Sequence, residues 1–239
     1  MDQHTQGIVL NQLKYSESAL IVKIYTLHFG IQSYIVKGVR KKCKKNYATL
    51  FQPLSYIDFT SFSYKRNDLK IFKEGRNLHF FKSLHSHPIK ITLSFFLSDI
   101  LLSTLKEETS NTALFHFINQ SLQILDEEEH HYANFHLWFM LHLTKFLGFY
   151  PNTDSDSNYF NLMEGCFTYT NSMHTCSKED SILIKKFLKL TINQSLDLKI
   201  NKLKRQNILD ILIKYYNLHN YTISNLRSLK IIQEVFEIL

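Results

Sequence analysis

Ile31-Gln32-Ser33-Tyr34-Ile35-Val36-Lys37-Gly38-Val39-Arg40-Lys41-Lys42 begins as an alternating segment and ends as a basic one, and its reading decides the fold of the first third of the chain. Ile31, Ser33, Ile35 and Lys37 alternate with Gln32, Tyr34, Val36 and Gly38, the period of two that a strand requires. This register sets Tyr34 and Val36 on the face opposite Lys37. Upstream, Leu27-His28-Phe29-Gly30 reads as a tight connection in which Gly30 is free to take a positive φ. Further strands are expected over Ala19–Leu27 and Thr5–Leu13 on one side, and over Leu54–Tyr64 and Asp68–Glu74 on the other. Five short strands in succession have the size of a small Greek-key barrel of the OB type, a fold used for single-stranded nucleic acid.

The positive excess of the chain sits on this segment. Residues 1–80 hold thirteen Lys and Arg against five acids, a balance of +8 in a chain of +7, so residues 81–239 carry −1. Lys37, Arg40, Lys41, Lys42, Lys44 and Lys45 crowd the end of the third strand and the loop after it. Phosphate contacts would relieve their mutual repulsion and release condensed counterions, which points to nucleic acid; a plainly solvated loop is the bland alternative. Lys65, Arg66, Lys70 and Arg76 flank the fifth strand and extend the candidate patch. Tyr15, Tyr25, Tyr34, Tyr47, Tyr56 and Tyr64 are interleaved with these cations, as base stacking requires, and Tyr34 joins the expected DNA-binding set. Core and barrel-edge packing is the competing account of most of these tyrosines.

Beyond Phe80 the period changes to that of helices. Helices are expected over Pro88–Glu108, Thr112–Leu125, His131–Leu147, Lys178–Thr191, Lys202–Leu218 and Arg227–Leu239, with Gly148 and Pro151 closing the third. Glu164-Gly165 between two short apolar runs marks a hairpin within Tyr159–Thr170. The expected class is therefore α+β: an OB-type barrel over 1–79, then a helical domain over 80–239 with an insertion over 152–176. Six Gly and three Pro leave little material for a tether between them.

Several function classes lack their chemistry. No Gly-x-x-x-x-Gly-Lys-Ser/Thr, Gly-x-Gly-x-x-Gly, Gly-x-Ser-x-Gly or His-Glu-x-x-His motif is present, so a binding protein without cofactor or catalytic residues is expected. Asp126-Glu127-Glu128-Glu129-His130-His131 is the one stretch that suggests a metal-dependent nuclease. It reads better as the acidic start of a helix, because a two-metal clamp needs several convergent carboxylates. Cys166, His174 and Cys176 lack the paired spacing of a zinc site, and with Cys43 they form an odd set suited to a reducing compartment. Ile91–Leu105, the most apolar run, contains Asp99 and is shorter than the ~20 residues of a bilayer span. With no basic leader ahead of an apolar core at the N-terminus, a cytoplasmic, nucleoid-associated protein is expected.

Thr5-Gln6-Gly7-Ile8-Val9-Leu10, Tyr15-Ser16-Glu17-Ser18 and Lys37-Gly38-Val39-Arg40 together resemble the N-terminus of the bacterial RecO family. Phe51-Gln52-Pro53-Leu54, Leu147-Gly148-Phe149-Tyr150-Pro151, Tyr215-Tyr216-x-Leu218-His219 and Leu226-Arg227-Ser228-Leu229 extend the likeness in the same order along the chain. The resemblance implies a DNA repair and recombination mediator that works without ATP. Such a protein binds single- and double-stranded DNA, anneals strands coated by single-stranded DNA-binding protein (SSB) and helps load RecA together with RecR. It places Lys37 and Arg40 in the DNA-contacting segment. It also gives the helical domain the acidic tail of SSB to hold, for which Lys202, Lys204 and Arg205 are the local candidates; a plain amphipathic helix with a basic start reads the same way. Many members carry a four-cysteine zinc module where this chain has Asn152–Cys176 with two unpaired cysteines, so no metal is expected. An RNA-binding OB protein with a helical interaction domain remains the alternative.

Overall fold

The computed structural model describes residues 2–38, 47–62, 70–106, 109–153 and 157–238. The chain forms two compact units, Met1–Glu127 and Glu128–Leu239.

In the first unit, β1 (Asp2–Lys14), β2 (Ala19–Thr26), β3 (Gly30–Lys37), β4 (Tyr56–Phe62) and β5 (Lys70–Asn77) close a barrel in the order β1-β2-β3-β5-β4. The β3–β5 pair is parallel and the others antiparallel. Every strand is paired on both sides, the β3–β5 closure running through Tyr34–Val36 alone on β3. Alternation sends Val9, Val22, Ile24, Tyr34, Val36, Ile57, Phe59 and Phe72 inward, and Leu50 and Phe51, at the end of the one-turn helix α1 (Tyr47–Leu50), join them. Backbones run close over this core. A Cβ on Gly75 would lie 2.7 Å from the Phe72 ring and 2.8 Å from Phe59.

The helices α2 (Pro88–Thr104) and α3 (Thr112–Glu127) belong to the same unit. Tyr25 carries part of this packing: its ring centroid lies 6.0 Å from that of Phe115, and its hydroxyl donates to the Asn111 carbonyl at 3.3 Å. The acidic run does not begin a helix, as its sequence suggests; it ends one. Asp126 is buried near the end of α3, where its carboxylate accepts from the backbone N–H groups of Lys82 (2.8 Å), Ser83 (2.7 Å) and Leu84 (2.7 Å). Burial works to raise its pKa, but the hydrogen bonds from Leu84, Lys82 and Ser83 outweigh burial and hold the carboxyl below its ordinary value. This side chain spends itself tying residues 82–84 to α3, which overrides the unfavourable helix dipole. Glu128 accepts from the N–H groups of His130 and His131, both at 2.9 Å, and α4 starts only at Phe135.

In the second unit, α4 (Phe135–Leu147) is apolar on nearly every side because neighbours surround it. α5 (Lys178–Lys189), α6 (Ile192–Leu196) and α7 (Lys202–Leu218) pack on it, and α8 (Arg227–Ile238) follows α7. Gly148 caps α4 at φ 87°, its N–H bonding to the Thr144 carbonyl, as the Gly-then-Pro spacing predicts. The expected hairpin is β6 (Tyr159–Asn161) with β7 (Cys166–Thr168). Among the described residues no helix is long and apolar enough to cross a membrane.

Candidate nucleic-acid interface

The barrel's outer surface follows from its register. Asn11, Lys23 and Ser33 are cross-strand neighbours on β1, β2 and β3. Two residues along, Leu13, Ile21 and Ile35 form the next outward row, continued by Ile71 and Phe62 on β5 and β4. Beyond it, Ala19 faces Lys37 across the strands, and the Tyr15 N–H bonds to the Ala19 carbonyl at 3.0 Å. Leu13 is 56% exposed and Tyr15 61%, while Lys14, Lys23 and Lys37 are exposed. Tyr25, on the same outer face of β2 as Lys23, is covered by Phe115 and only 2% exposed. The helices thus cover one end of this face, while at the other Leu13 and Tyr15 are exposed.

The expected DNA-binding residues separate on this frame. Lys37 points outward. Tyr34 does not: it is fully buried, edge-on to Phe59 at 5.0 Å, and burial pushes its hydroxyl pKa up. The alternation that sends Lys37 out sends Tyr34 in, so the expectation that Tyr34 contacts DNA is corrected. Among the tyrosine side chains described on the barrel, Tyr15 is the exposed one; Tyr56 bonds to Gln6 and packs near Phe115. Lys70 Nζ sits 5.1 Å from the Phe29 ring centroid. Arg76 is exposed with Nε 3.5 Å from Asp58, whose other oxygen lies 2.9 Å from His4 Nε2. Lys73 pairs with Asp2 at 2.6 Å and lies over the Phe62 ring, covering the far end of the apolar row. Arg40, Lys41, Lys42, Lys44, Lys45, Lys65 and Arg66 lie outside the described residues.

In the helical unit the three candidate cations also part. Lys202 is exposed. Lys204 pairs with Asp180 at 2.9 Å and Glu179 at 3.3 Å, and the hydrogen bond to Asp180 raises its pKa. Arg205 turns into the unit, donating to Asn134 Oδ1 and the Ile200 carbonyl, both at 3.2 Å. Next to Lys204 a groove of about 570 Å³ is lined by Ile182, Leu183, Leu198 and Leu203, with Lys186 and Lys199 among its cations. Leu203 is 80% exposed there. Single-sequence patterning missed this groove because its wall comes from one face of α5, the start of α7 and the 198–201 segment before it.

The residues of the hairpin insertion do not fit a structural zinc site. Burial pushes the Cys176 thiol up to about 12, and burial and the neighbouring Glu164 raise Cys166. Among the described residues no three His, Cys, Asp or Glu side chains converge as metal ligands. The hairpin is instead held by protein groups. Tyr215 donates to the Phe149 carbonyl at 2.5 Å, His219 Nε2 lies 3.1 Å from the Leu162 carbonyl, and the Asn152 N–H donates to the Gly165 carbonyl at 2.7 Å.

Comparison with known proteins agrees with this architecture. The family description "Recombination protein O N terminal" matches residues 1–81, and "Recombination protein O C terminal" matches residues 85–229. The chain belongs to the RecO family. It is 36% identical to the DNA repair protein RecO of Christiangramia forsetii over 236 residues, 98% of each chain. It is also 34% identical to RecO of Flavobacterium psychrophilum over 238 residues, 99% of this chain and 100% of that one. RecO of Flavobacterium johnsoniae is 35% identical over 240 residues, with 99% and 100% covered. The closed barrel and the helical region with its small sheet are the two parts expected of a RecO protein.

Proposed function

We propose that this protein acts in DNA repair as a recombination mediator that binds single- and double-stranded DNA and pairs complementary SSB-coated strands without a covalent step. The observation that carries the reading is the exposed cationic outer surface of the barrel at Lys23 and Lys37, in a chain that aligns with RecO proteins over 98% of its length. Cations on this barrel neutralise phosphates of both strands and lower the repulsion that opposes pairing. Lys37 with Arg40, Lys41, Lys42, Lys44 and Lys45 forms the main phosphate-contacting segment, and Lys65, Arg66, Lys70 and Arg76 extend it. The groove beside Lys204 holds the acidic tail of SSB, raising the local concentration of coated DNA. Help with RecA loading, together with RecR, completes the role in the cytoplasm.

Annealing of two complementary oligonucleotides precoated with the SSB of the same organism, without ATP, tests the proposal. Wild type is expected to anneal them, and Lys37→Ala/Arg40→Ala/Lys41→Ala/Lys42→Ala to lose that activity. The variant should also flatten the dependence of log affinity on log salt by about 0.7 for each lost single-strand phosphate contact. Absence of annealing by wild type would overturn the mediator reading. Equal affinity of variant and wild type at low salt would overturn the residue assignment.

A further inference from the structure

The groove beside Lys204 has one helical wall and one irregular wall. Glu179, Ile182, Leu183 and Lys186 recur at helical spacing along one face of α5. The other wall is Leu198, Lys199 and Ile200, in the segment between α6 and α7, with Leu203 at the start of α7. A helix satisfies its own carbonyls, whereas an irregular wall must borrow donors from elsewhere. Here they come from Asn134 and Arg205, neither of which lines the groove. Asn134, 2% exposed at the N-cap of α4, donates from Nδ2 to the Ser195 carbonyl at 3.1 Å and to the Leu198 carbonyl at 2.7 Å. Its Oδ1 accepts from Arg205 Nε, and Arg205 Nη2 donates to the Ile200 carbonyl, both at 3.2 Å. One hydrogen-bonded clamp thus fixes the carbonyls of both neighbours of Lys199.

The cations of this region divide by what already engages them. Arg205 spends its fork on Asn134 and Ile200, and Lys204 is held by Asp180 and Glu179. Lys186 and Lys199 are exposed, line the groove and make no ion pair with an acid among the described residues. A ligand that carries carboxylates beside an apolar end suits these two charges and the apolar side chains around them. Nucleic acid suits them less well, because no aromatic ring lines the groove and Glu179 would face a phosphate. Resting on the reading of this groove as the seat of the acidic SSB tail, we propose that Lys186 and Lys199 contact the carboxylates of that tail, while Asn134 and Arg205 are positioning residues that act through the wall they hold. Arg205 then contributes shape to binding and no charge contact.

The test is the anisotropy of a fluorescein-labelled peptide carrying the acidic C-terminal tail of the same organism's SSB, titrated with the full chain at several salt concentrations. Lys186→Ala/Lys199→Ala changes two exposed side chains, and should weaken binding about three- to ten-fold at low salt and flatten its decline with salt. Arg205→Lys keeps the charge but loses the fork, and Asn134→Ala removes no charge at all. Each should weaken binding about five-fold or more and keep the salt dependence of wild type. Arg205→Gln, with one amide in place of the fork, replaces either variant that fails to fold, with the same expectation. Wild-type affinity in Arg205→Lys, or a flattened salt dependence in Arg205→Gln, would return Arg205 to direct contact and overturn its positioning role. Wild-type affinity in the double lysine variant would overturn the assignment of the two contacts while the groove still holds the tail. Absence of peptide binding by wild type would instead sink the tail reading itself, and this inference with it. Displacement of the peptide by oligo-dT, lost in the double lysine variant, would give the groove to nucleic acid and overturn the proposal.

Discussion

The barrel and the β6–β7 hairpin are both small β constructions, yet they hold themselves together by opposite means. The barrel closes on itself: every strand has two partners and its own apolar residues fill the interior. The hairpin has two strands of three residues, below what is stable alone in water. It stands because Phe160 is sealed against Phe167 and Tyr215, and because α5, α7 and the turn after α4 supply hydrogen bonds to its backbone. Closure makes stability a property of the whole barrel, whereas dependence on neighbours makes the hairpin's stability local.

The largest expected effects come from emptying the two cores. Phe59→Ala should cost about 3–5 kcal/mol and lower the urea midpoint of the barrel as one cooperative loss. Tyr215→Ala should cost a similar amount, but hydrogen exchange should show it first as lost protection of the Phe160 and Leu162 amides. Uniform loss of protection across the second unit in Tyr215→Ala would remove the contrast between the two regions.

Adding a methyl group sharpens the same contrast at smaller cost. In Gly75→Ala the new Cβ meets the Phe72 ring, the Phe59 Cβ and the Asp58 carbonyl at 3.0 Å, none of which can leave a closed barrel, and a loss of about 1–3 kcal/mol in denaturant titration is expected. A thermal midpoint equal to wild type would show that the barrel wall yields.

Protonation of a buried histidine gives the second unit an acid sensitivity of its own. His136, fully buried on α4, has its pKa pushed down to about 3, first by burial and then by the charge of Arg205. The unfolded chain takes up this proton near the ordinary value of 6.5 and the folded chain only near 3, so the unfolded state binds more protons between them. This contribution to stability is therefore intact above about pH 6.5 and is lost as pH falls toward 3, by at most about 1.4 kcal/mol per pH unit. His136→Leu should flatten the slope of stability between pH 6 and 4 in the second unit; an unchanged slope would assign the acid sensitivity to other groups.

These contrasts also show what the chain spells out and what it withholds. All five barrel strands and the hairpin were legible, because period-two alternation and turn residues are local signals. The helices α1 and α6, at four and five residues, are too short to show a period. The acids at 126–129 were misread as a helix start because the decisive partners of Asp126 lie at 82–84, over forty positions away. At the candidate interface the cations were legible as composition. That Tyr34 faces away from Lys37 was legible in the alternation of its strand, whereas the exposure of Tyr15, just beyond the end of β1, was not. The row of Leu13, Ile21 and Ile35 needs three strands in register before it exists.

The finest test of the hairpin's dependence is a double-mutant cycle between Gly165 and Tyr215. Gly165 sits at φ 64°, and a Cβ there would lie 2.9 Å from the Tyr215 hydroxyl. Gly165→Ala alone therefore carries both left-handed strain, about 1–2 kcal/mol, and this close contact. Tyr215→Phe alone removes the hydrogen bond to the Phe149 carbonyl and should cost about 1 kcal/mol, since the ring stays in place. With the hydroxyl gone the alanine gains room, so the double variant should be less destabilised than the two single costs combined, by about 0.5 kcal/mol or more in denaturant titrations. Strict additivity would mean that the hairpin turn and α7 do not feel each other through this contact, and the hairpin's anchoring would then rest on Phe160 and the backbone bonds alone.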